Sequence, residues 1–480
     1  MTVSVLSDGR TTGDLLLVRR AEVLVTMDED RREISGGSIL LRGDTIVRVG
    51  PDLDVSEWIA QDVTRRPRRT VDASGCVVLP GLVNCHHHLF QSLTRTIGTG
   101  QGLSLFDWLR LLYPIWAEMD PEAVYVSAKT ALAELILSGA TTVADHLYLF
   151  PNGARVDDEI RAAMELGVRF HATRGSMSLG ESRGGLPPDR IVEDEDSILA
   201  DCRRVIEAFH DPRPRSMLRI GLAPCSPFSV TQHLMRETAR LARSHPAVGL
   251  HTHLSETLDE VEFCQSKFAL RPLDFAESVE WLGSDTWFAH MVHLEAPEIE
   301  RVARAGAGVC HCPSSNMILG SGIAPVRQML GRGVKIALGV DGSASNDGNQ
   351  VLGEARQAML LQRVAEHGRG KSAGALSARA ALELATRGGA AVLGRDDIGS
   401  LRAGNAADLV AFRVDDLEHA GAQFDPVAAL VTCAPTRVWF SIINGKIVVE
   451  DGVLAGVEMN AIVRQHNRIA KSMLGRAGLL

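Results

Sequence analysis

At 480 residues the chain exceeds the usual size of one domain, and with 45% hydrophobic and 23% charged residues it cannot be extensively disordered. A formal net charge of -9 without any block of basic residues argues against a nucleic-acid backbone or an anionic membrane as partner, and for a small-molecule substrate. No run of about 18 apolar residues occurs, and Met1–Asp14 is polar, with no basic stretch leading into an apolar one, so a cytoplasmic protein is expected.

From Leu15 to Val71 short stretches alternate apolar and polar residues, as in Glu22-Val23-Leu24-Val25-Thr26, between Gly-Asp and Gly-Gly turn signals, which predicts a small β unit. From about Val77 to Gly394 buried-looking strands alternate with helical stretches, the pattern of a parallel sheet covered by helices. Eight such strands are expected: Val77–Val83, Ala140–Ala144, Arg169–Thr173, Leu218–Ala223, Gly249–Thr252, Thr286–Ala289, Gly308–Cys310 and Lys335–Val340. Eight repeats predict an α/β fold of the (β/α)8 TIM-barrel type. Its catalytic groups then belong on the loops after the strands' C-terminal ends.

The β texture returns in Ala407–Phe412 and Arg437–Lys446, where Asn444-Gly445 favours a tight hairpin, so the two ends could complete one smaller β-sandwich. The expected division is 1–76 for the N-terminal part of that sandwich, 77–394 for the barrel, and 395–480 for the rest of the sandwich plus a terminal helix. That helix, from Met459 to Leu480, places Ile462, Ile469 and Met473 at roughly helical spacing. The eight cysteines are scattered with no C-x-x-C pair, so neither a disulfide framework nor a zinc knuckle is suggested, and most read as small buried apolar residues.

At the end of the first barrel strand, alternation turns His86 and His88 the same way and His87 the other, which suits two ligands on one ion. The fifth strand ends in His251-Thr252-His253-Leu254-Ser255-Glu256. Alternation cannot choose between its two histidines, although His253 lies nearer the catalytic rim. Asp341 ends the eighth strand's apolar run; alone it reads as a helix cap or Asx turn, but histidines on the same rim make it a fourth ligand. Three imidazoles and a carboxylate suit one divalent ion, zinc or a similar first-row ion such as Fe2+, in a catalytic site that activates water. Glu256, three residues after His253, is placed to shuttle protons. His290 and His311, ending strands six and seven, could stabilise charge or touch substrate.

The motifs Pro80-Gly81-Leu82-Val83-Asn84-x-His86-x-His88, His253-x-x-Glu256, Ala289-His290, His311-Cys312-Pro313-x-Ser315-Asn316 and Gly339-Val340-Asp341-Gly342 together resemble the amidohydrolase superfamily over nearly the whole chain. The resemblance selects His253 over His251 and implies one metal on His86, His88, His253 and Asp341. In the deaminase branch it implies a hydrolase in which Glu256 protonates a ring nitrogen, His290 positions the attacking oxygen and Asp341 carries a proton to leaving ammonia. Binuclear relatives use a carboxylated lysine on strand four, and Leu218–Pro224 holds none. The stretches His86–Arg95, Asp145–Tyr148, Arg174–Ser178 and Gly184–Asp189 are similar to the 8-oxoguanine deaminases.

That narrower likeness implies conversion of 8-oxoguanine to urate and ammonia and a place in purine metabolism, while the superfamily resemblance implies a homo-oligomer. Gln91 could read a ring carbonyl or N–H edge, Trp116 could stack on a planar ring and Arg174 could bond an oxo group, while core packing and a salt bridge rival the last two. The same frame could serve a pterin, guanine or a triazine. A non-catalytic metal-binding scaffold on the same barrel would be expected to have lost ligands, and none is lost.

Overall fold

The computed structural model describes residues 14–61, 67–366, 376–433 and 435–480, so the polar terminus lies, up to Gly13, outside the described residues. Five strands come first: β1 (Leu15–Val25), β2 (Glu33–Arg42), β3 (Thr45–Pro51), β4 (Arg69–Asp72) and β5 (Cys76–Pro80). The barrel strands follow as β6 (Leu82–Asn84), β7 (Ala140–Leu147), β8 (Arg169–Ser176), β9 (Leu218–Pro224), β10 (Gly249–Leu254), β11 (Thr286–His290), β12 (Gly308–His311) and β13 (Lys335–Leu338). Last are β14 (Leu409–Arg413), β15 (Phe440–Ile443), β16 (Lys446–Glu450) and β17 (Val453–Leu454).

Both ends of the chain build one nine-stranded mixed sheet, joined where β14 pairs antiparallel with β5, Ala411 opposite Val78. Alternation along β1 sends Leu16, Val18 and Leu24 into a core shared with Ile39, Val78, Leu409, Phe440 and Ile442. Leu15 and Leu17 face the other way, under Trp58 of α1 (Val55–Gln61). The Asn444-Gly445 turn between β15 and β16 has φ of 52° and 74°, the left-handed pair a tight hairpin needs. A Cβ on Gly445 would also collide with the Gly43 carbonyl.

Strands β6 to β13 are all parallel and in sequence order, and every residue of β7 and β8 is buried, as expected where helices cover one face and the barrel interior the other. Seven of the eight expected strands begin where predicted. The exception is Val77–Val83, which divides: Cys76–Pro80 stays in the terminal sheet and Leu82–Asn84 opens the barrel. Gly81 is the changeover, its N–H donating to Asp408 O at 3.1 Å while a Cβ would strike the Thr141 side chain. Because the stretch is buried on both sides of that point, hydrophobicity alone gives no sign of the break.

The C-terminal helix Met459–Arg476 buries Ile462, His466, Ile469 and Met473. It packs on the barrel, against α2 (Leu105–Trp116), α3 (Pro121–Ser138) and the 3-10 segment Leu89–Thr94, where His466 Nε2 meets Ser92 Oγ at 3.2 Å. All eight cysteines are free, seven of them buried. No helix among the described residues is long and apolar enough to cross a membrane.

A buried ion pair ties sheet to barrel. Arg169 at the start of β8 holds Asp408 through two bonds of 2.8 and 2.9 Å, and its remaining donors reach Arg215 O and Ser216 O. Asp408 also accepts the Asn444 N–H at 2.7 Å, and both side chains are buried. Removing one partner of such a pair leaves an uncompensated buried charge. Asp408→Ala should therefore cost about 3–5 kcal/mol, read by denaturant unfolding; a change within experimental error would show that water replaces the carboxylate.

Candidate active site

The barrel closes just beyond the ends of β6 and β13, where Cys85 N–H donates to Leu338 O at 3.0 Å and Asp341 N–H to His86 O at 3.1 Å. Asn84 braces the seam, accepting from Val340 N–H at 2.9 Å and donating to His86 O at 3.1 Å. The seam thus carries the first-strand histidines and the last-strand carboxylate together. His86 Nε2 lies 3.2 Å and His88 Nε2 3.4 Å from Asp341 Oδ1, and His88 Nε2 lies 3.0 Å from His253 Nε2. His87 turns away to Asn349 Oδ1 at 2.8 Å.

The partners of the other ring nitrogens settle the tautomers. His88 Nδ1 faces the His146 carbonyl and His253 Nδ1 the Cys225 carbonyl, both at 2.7 Å, so each Nδ1 carries the hydrogen. His251 Nδ1 likewise donates to Trp287 O at 2.9 Å, so its bare Nε2 accepts from His86 Nδ1 at 2.8 Å. Burial, with the neighbouring imidazoles, pushes His253 down to about 3 and lowers His88; it takes His86 well below its usual range. All three Nε2 atoms are then bare lone pairs converging in a buried space, and His86 Nε2 has no hydrogen-bond partner among the described residues. A divalent first-row cation fits this donor set and relieves the repulsion between those lone pairs.

Ligand-capable atoms of His86, His88, His146 and His253 lie within 4.8 Å of one another, as do those of His86, His290 and Asp341. His146 was not among the expected ligands. Its Nε2 donates to Ala223 O at 2.9 Å, which leaves Nδ1 bare, and its carbonyl orients His88.

Glu256 and His290 sit beside this cluster, with His290 Nε2 3.6 Å from Glu256 Oε2 and 3.8 Å from Asp341 Oδ2. Burial pushes Glu256 up to about 7, against the pull of His290. Burial would raise Asp341 too, but it is held well below the carboxylate range; with His86 and His88 neutral, the raised His290, 3.8 Å from Oδ2, is the neighbour that can supply positive charge. His290 is raised: burial opposes its charge, and Glu256 and Asp341 outweigh burial. Ser255, His290 and Asp341 take φ of 54°, 72° and 64°, left-handed backbone at three strand ends around one site. The Glu260 carboxylate supports the first of these turns, accepting from Ser255 N–H at 2.9 Å and Glu256 N–H at 2.8 Å. The pattern Thr257-x-x-Glu260 is a capping-box signal that could have revealed it.

A narrow cleft opens over these groups, lined by His88, His253, Glu256, His290 and Asp341 and by Gln91, Trp108, Tyr113, Tyr148 and Phe228. Gln91 stands on its wall as expected. Trp116 does not: it lies behind the wall, donating to Thr94 Oγ1 at 3.0 Å and packed edge-on against Phe90 and Trp108, and Trp108 lines the cleft instead. Arg174 is spent on Glu193 and Asp201 at 2.8 and 2.9 Å and stacks over Phe150, outside the lining. His311 is buried beneath the lining, with neither ring nitrogen partnered among the described residues. Trp108 and Tyr113 follow Leu105 at helical spacing on one face of α2, a pattern that reads equally as core.

Residues 77–448 match the amidohydrolase family. The chain is 49% identical to an 8-oxoguanine deaminase of Pseudomonas aeruginosa over 84% of this chain and 89% of the relative. It is 36% identical to a hydroxydechloroatrazine ethylaminohydrolase of Pseudomonas sp. strain ADP, over 94% of each chain. Among solved structures, the atrazine chlorohydrolase of Arthrobacter aurescens TC1 complexed with zinc superposes with a TM-score of 0.88 at 34% identity, over 95% of this chain and all of the other.

The His86–His251–Trp287 relay carries a prediction. An apolar replacement at 251 leaves the His86 Nδ1–H without a partner and frees its tautomer. His251→Leu should weaken metal affinity about 10–100-fold in competition with a chelator. His251→Gln, which keeps an acceptor, should retain most of it. Equal affinity in wild type and the Leu variant would remove the relay's role.

Proposed function

The chain belongs to the amidohydrolase family, and we propose that it is a hydrolytic deaminase of 8-oxoguanine that produces urate and ammonia with one zinc ion on His86, His88, His253 and Asp341. At the coarser level it is an enzyme acting on C–N bonds of nitrogen heterocycles, as its relatives' names indicate. The observation that carries the reading is the grouping of Glu256, His290 and Asp341 in a cleft also lined by the aromatic residues Trp108, Tyr113, Tyr148 and Phe228.

When bound, the ion supplies the polarisation that makes water a nucleophile near neutral pH. Asp341, ionised beside the raised His290, takes one proton from the attacking water. Glu256, whose burial keeps it protonated near neutrality, gives its proton to the ring nitrogen beside the amino carbon, removing the charge that addition would place there. Oxygen then joins that carbon. Asp341 passes its proton to the amino group, the C–N bond breaks, ammonia leaves, and the new hydroxyl returns its proton to Glu256 as the carbonyl forms. His290, with its Nδ1 fixed by Asn316 Oδ1 at 2.9 Å, keeps Nε2 toward both carboxylates and orients the oxygen.

Zinc-loaded protein should release ammonia from 8-oxoguanine faster than from guanine, a pterin or an aminotriazine. No turnover of 8-oxoguanine would remove that substrate. Glu256→Gln should lower kcat about 10²–10⁴-fold while metal content stays at the wild-type level. Loss of metal in this variant would instead make Glu256 a ligand.

A further inference from the structure

Two turns at the rim, one after β12 and one after β13, each serve a reacting group. In the first, Asn316 Oδ1 accepts from His290 Nδ1 at 2.9 Å, and the same ring turns its Nε2 to Asp341 Oδ2 at 3.8 Å. In the second, Asn346 brackets Asp341. Its side-chain amide donates to the Val340 carbonyl just before that residue, and its backbone N–H donates to Gly342 O just after it, at 3.1 Å. Asp341 has φ of 64°, and left-handed backbone at such a residue persists only where its surroundings over-determine it. The pairing of β12 with β13 ends at His311 and Leu338, short of both turns.

One buried side chain joins them. Glu354, in the first turn of the helix Val351–Glu366, is 3% exposed. Its Oε2 accepts from Ser314 N–H at 3.0 Å, and its Oε1 accepts from Ser314 Oγ at 2.7 Å and from Asn346 Nδ2 at 2.9 Å. Ser314 N–H belongs to the short helix Pro313–Ile318, so the plainest role for this carboxyl is to cap that helix. The bond to Asn346 goes beyond a cap, because it takes the one amide hydrogen that Val340 leaves over. Ser315 and Ser345 form a parallel bridge, Ser315 Oγ donating to Ser345 Oγ at 2.9 Å and Ser345 Oγ to Gly342 O at 3.2 Å.

We propose that Glu354 is a positioning residue of the active site: through Asn346 it holds the turn of Asp341, through Ser314 the turn of Asn316, and so it fixes the spacing of Asp341 and His290. This rests on the roles given above to Asp341 and His290 and deepens them. Glu354 touches neither group; it acts through the two asparagines. An amide in its place would offer a single acceptor oxygen to three donors, so Glu354→Gln keeps the size of the side chain while releasing one of the turns.

Cobalt(II) loaded in place of the native metal reports the placing of Asp341 through its visible absorption, with no substrate needed. Glu354→Gln and Asn346→Ala should each shift those bands and weaken cobalt affinity about 10–100-fold. The double variant should show no more than the Asn346→Ala change, because the path to Asp341 is already cut. In the zinc form, kcat on 8-oxoguanine should fall about 10–100-fold with KM unchanged. A Glu354→Gln protein with a lowered Tm but wild-type bands, affinity and kcat has lost only a helix cap, and overturns the proposal; so do effects that add in the double variant. Should Glu354→Gln fail to fold, wild-type bands in Asn346→Ala overturn it equally. Bands that move in both variants, with no ammonia released from 8-oxoguanine by wild type, would overturn the deaminase reading alone. Ammonia release by wild type with bands indifferent to both variants would overturn only the role of Glu354.

Discussion

The closing seam of the barrel is the constraint on which the site depends. A parallel strand run ends with unpaired edges unless its first and last members meet. Here they meet through Cys85 to Leu338 and Asp341 to His86. Both backbone bonds fall at or beside proposed ligands, so closing the barrel and assembling the ligand set are one structural event. His253 enters from the middle of the sheet, and only the closed barrel brings its Nε2 to within 3.0 Å of His88. The fold-level rule that active groups gather at the C-terminal strand ends thus has a local cause, the seam itself.

Burial then decides where protons sit. In water an imidazole exchanges tautomers freely; here each proposed ligand histidine has Nδ1–H fixed by a carbonyl or by His251, and desolvation keeps the rings neutral. The same desolvation acts differently on two carboxyls that both neighbour His290. Asp341 stays ionised with the raised His290 3.8 Å away, whereas at Glu256 burial outweighs His290 and the group is raised. Opposite protonation tendencies in neighbouring carboxyls are what a reaction needs when it removes one proton while delivering another. The left-handed backbone at Ser255, His290 and Asp341 costs about 1 kcal/mol or more each. Glu260 and the closing seam offset part of that strain by holding the turns in place.

Much of this was legible in the sequence, because strand alternation is a strong signal. It predicted that His86 and His88 face together and His87 apart, and strand-end position favoured His253 over His251. What stayed hidden depends on contacts across the barrel. Nothing near His251 in the chain indicates that it orients His86, and nothing near His146 indicates that its carbonyl orients His88. Trp116 and Trp108 lie on the same apolar face of α2, and composition cannot tell which of the two reaches the cleft. Arg174 had a chemically reasonable ligand in an oxo group, but Glu193 and Asp201, distant in sequence, claim its donors. The break at Gly81 was invisible for a similar reason, since both sheets bury that strand equally.

Cleft residues carried by strand ends and those carried by α2 differ in what can change them. Ligands, acid and base sit on strand termini whose spacing is set by the barrel, and a shift in any one would disturb the seam or the turns that carry the others. The recognising wall is the α2 insertion after the first strand, supported from behind by Trp116 and, along the 3-10 segment bearing Gln91, by the C-terminal helix through His466 and Ser92. Residues on one face of that helix can be exchanged without moving a ligand, so substrate choice can vary while the hydrolytic chemistry stays constant.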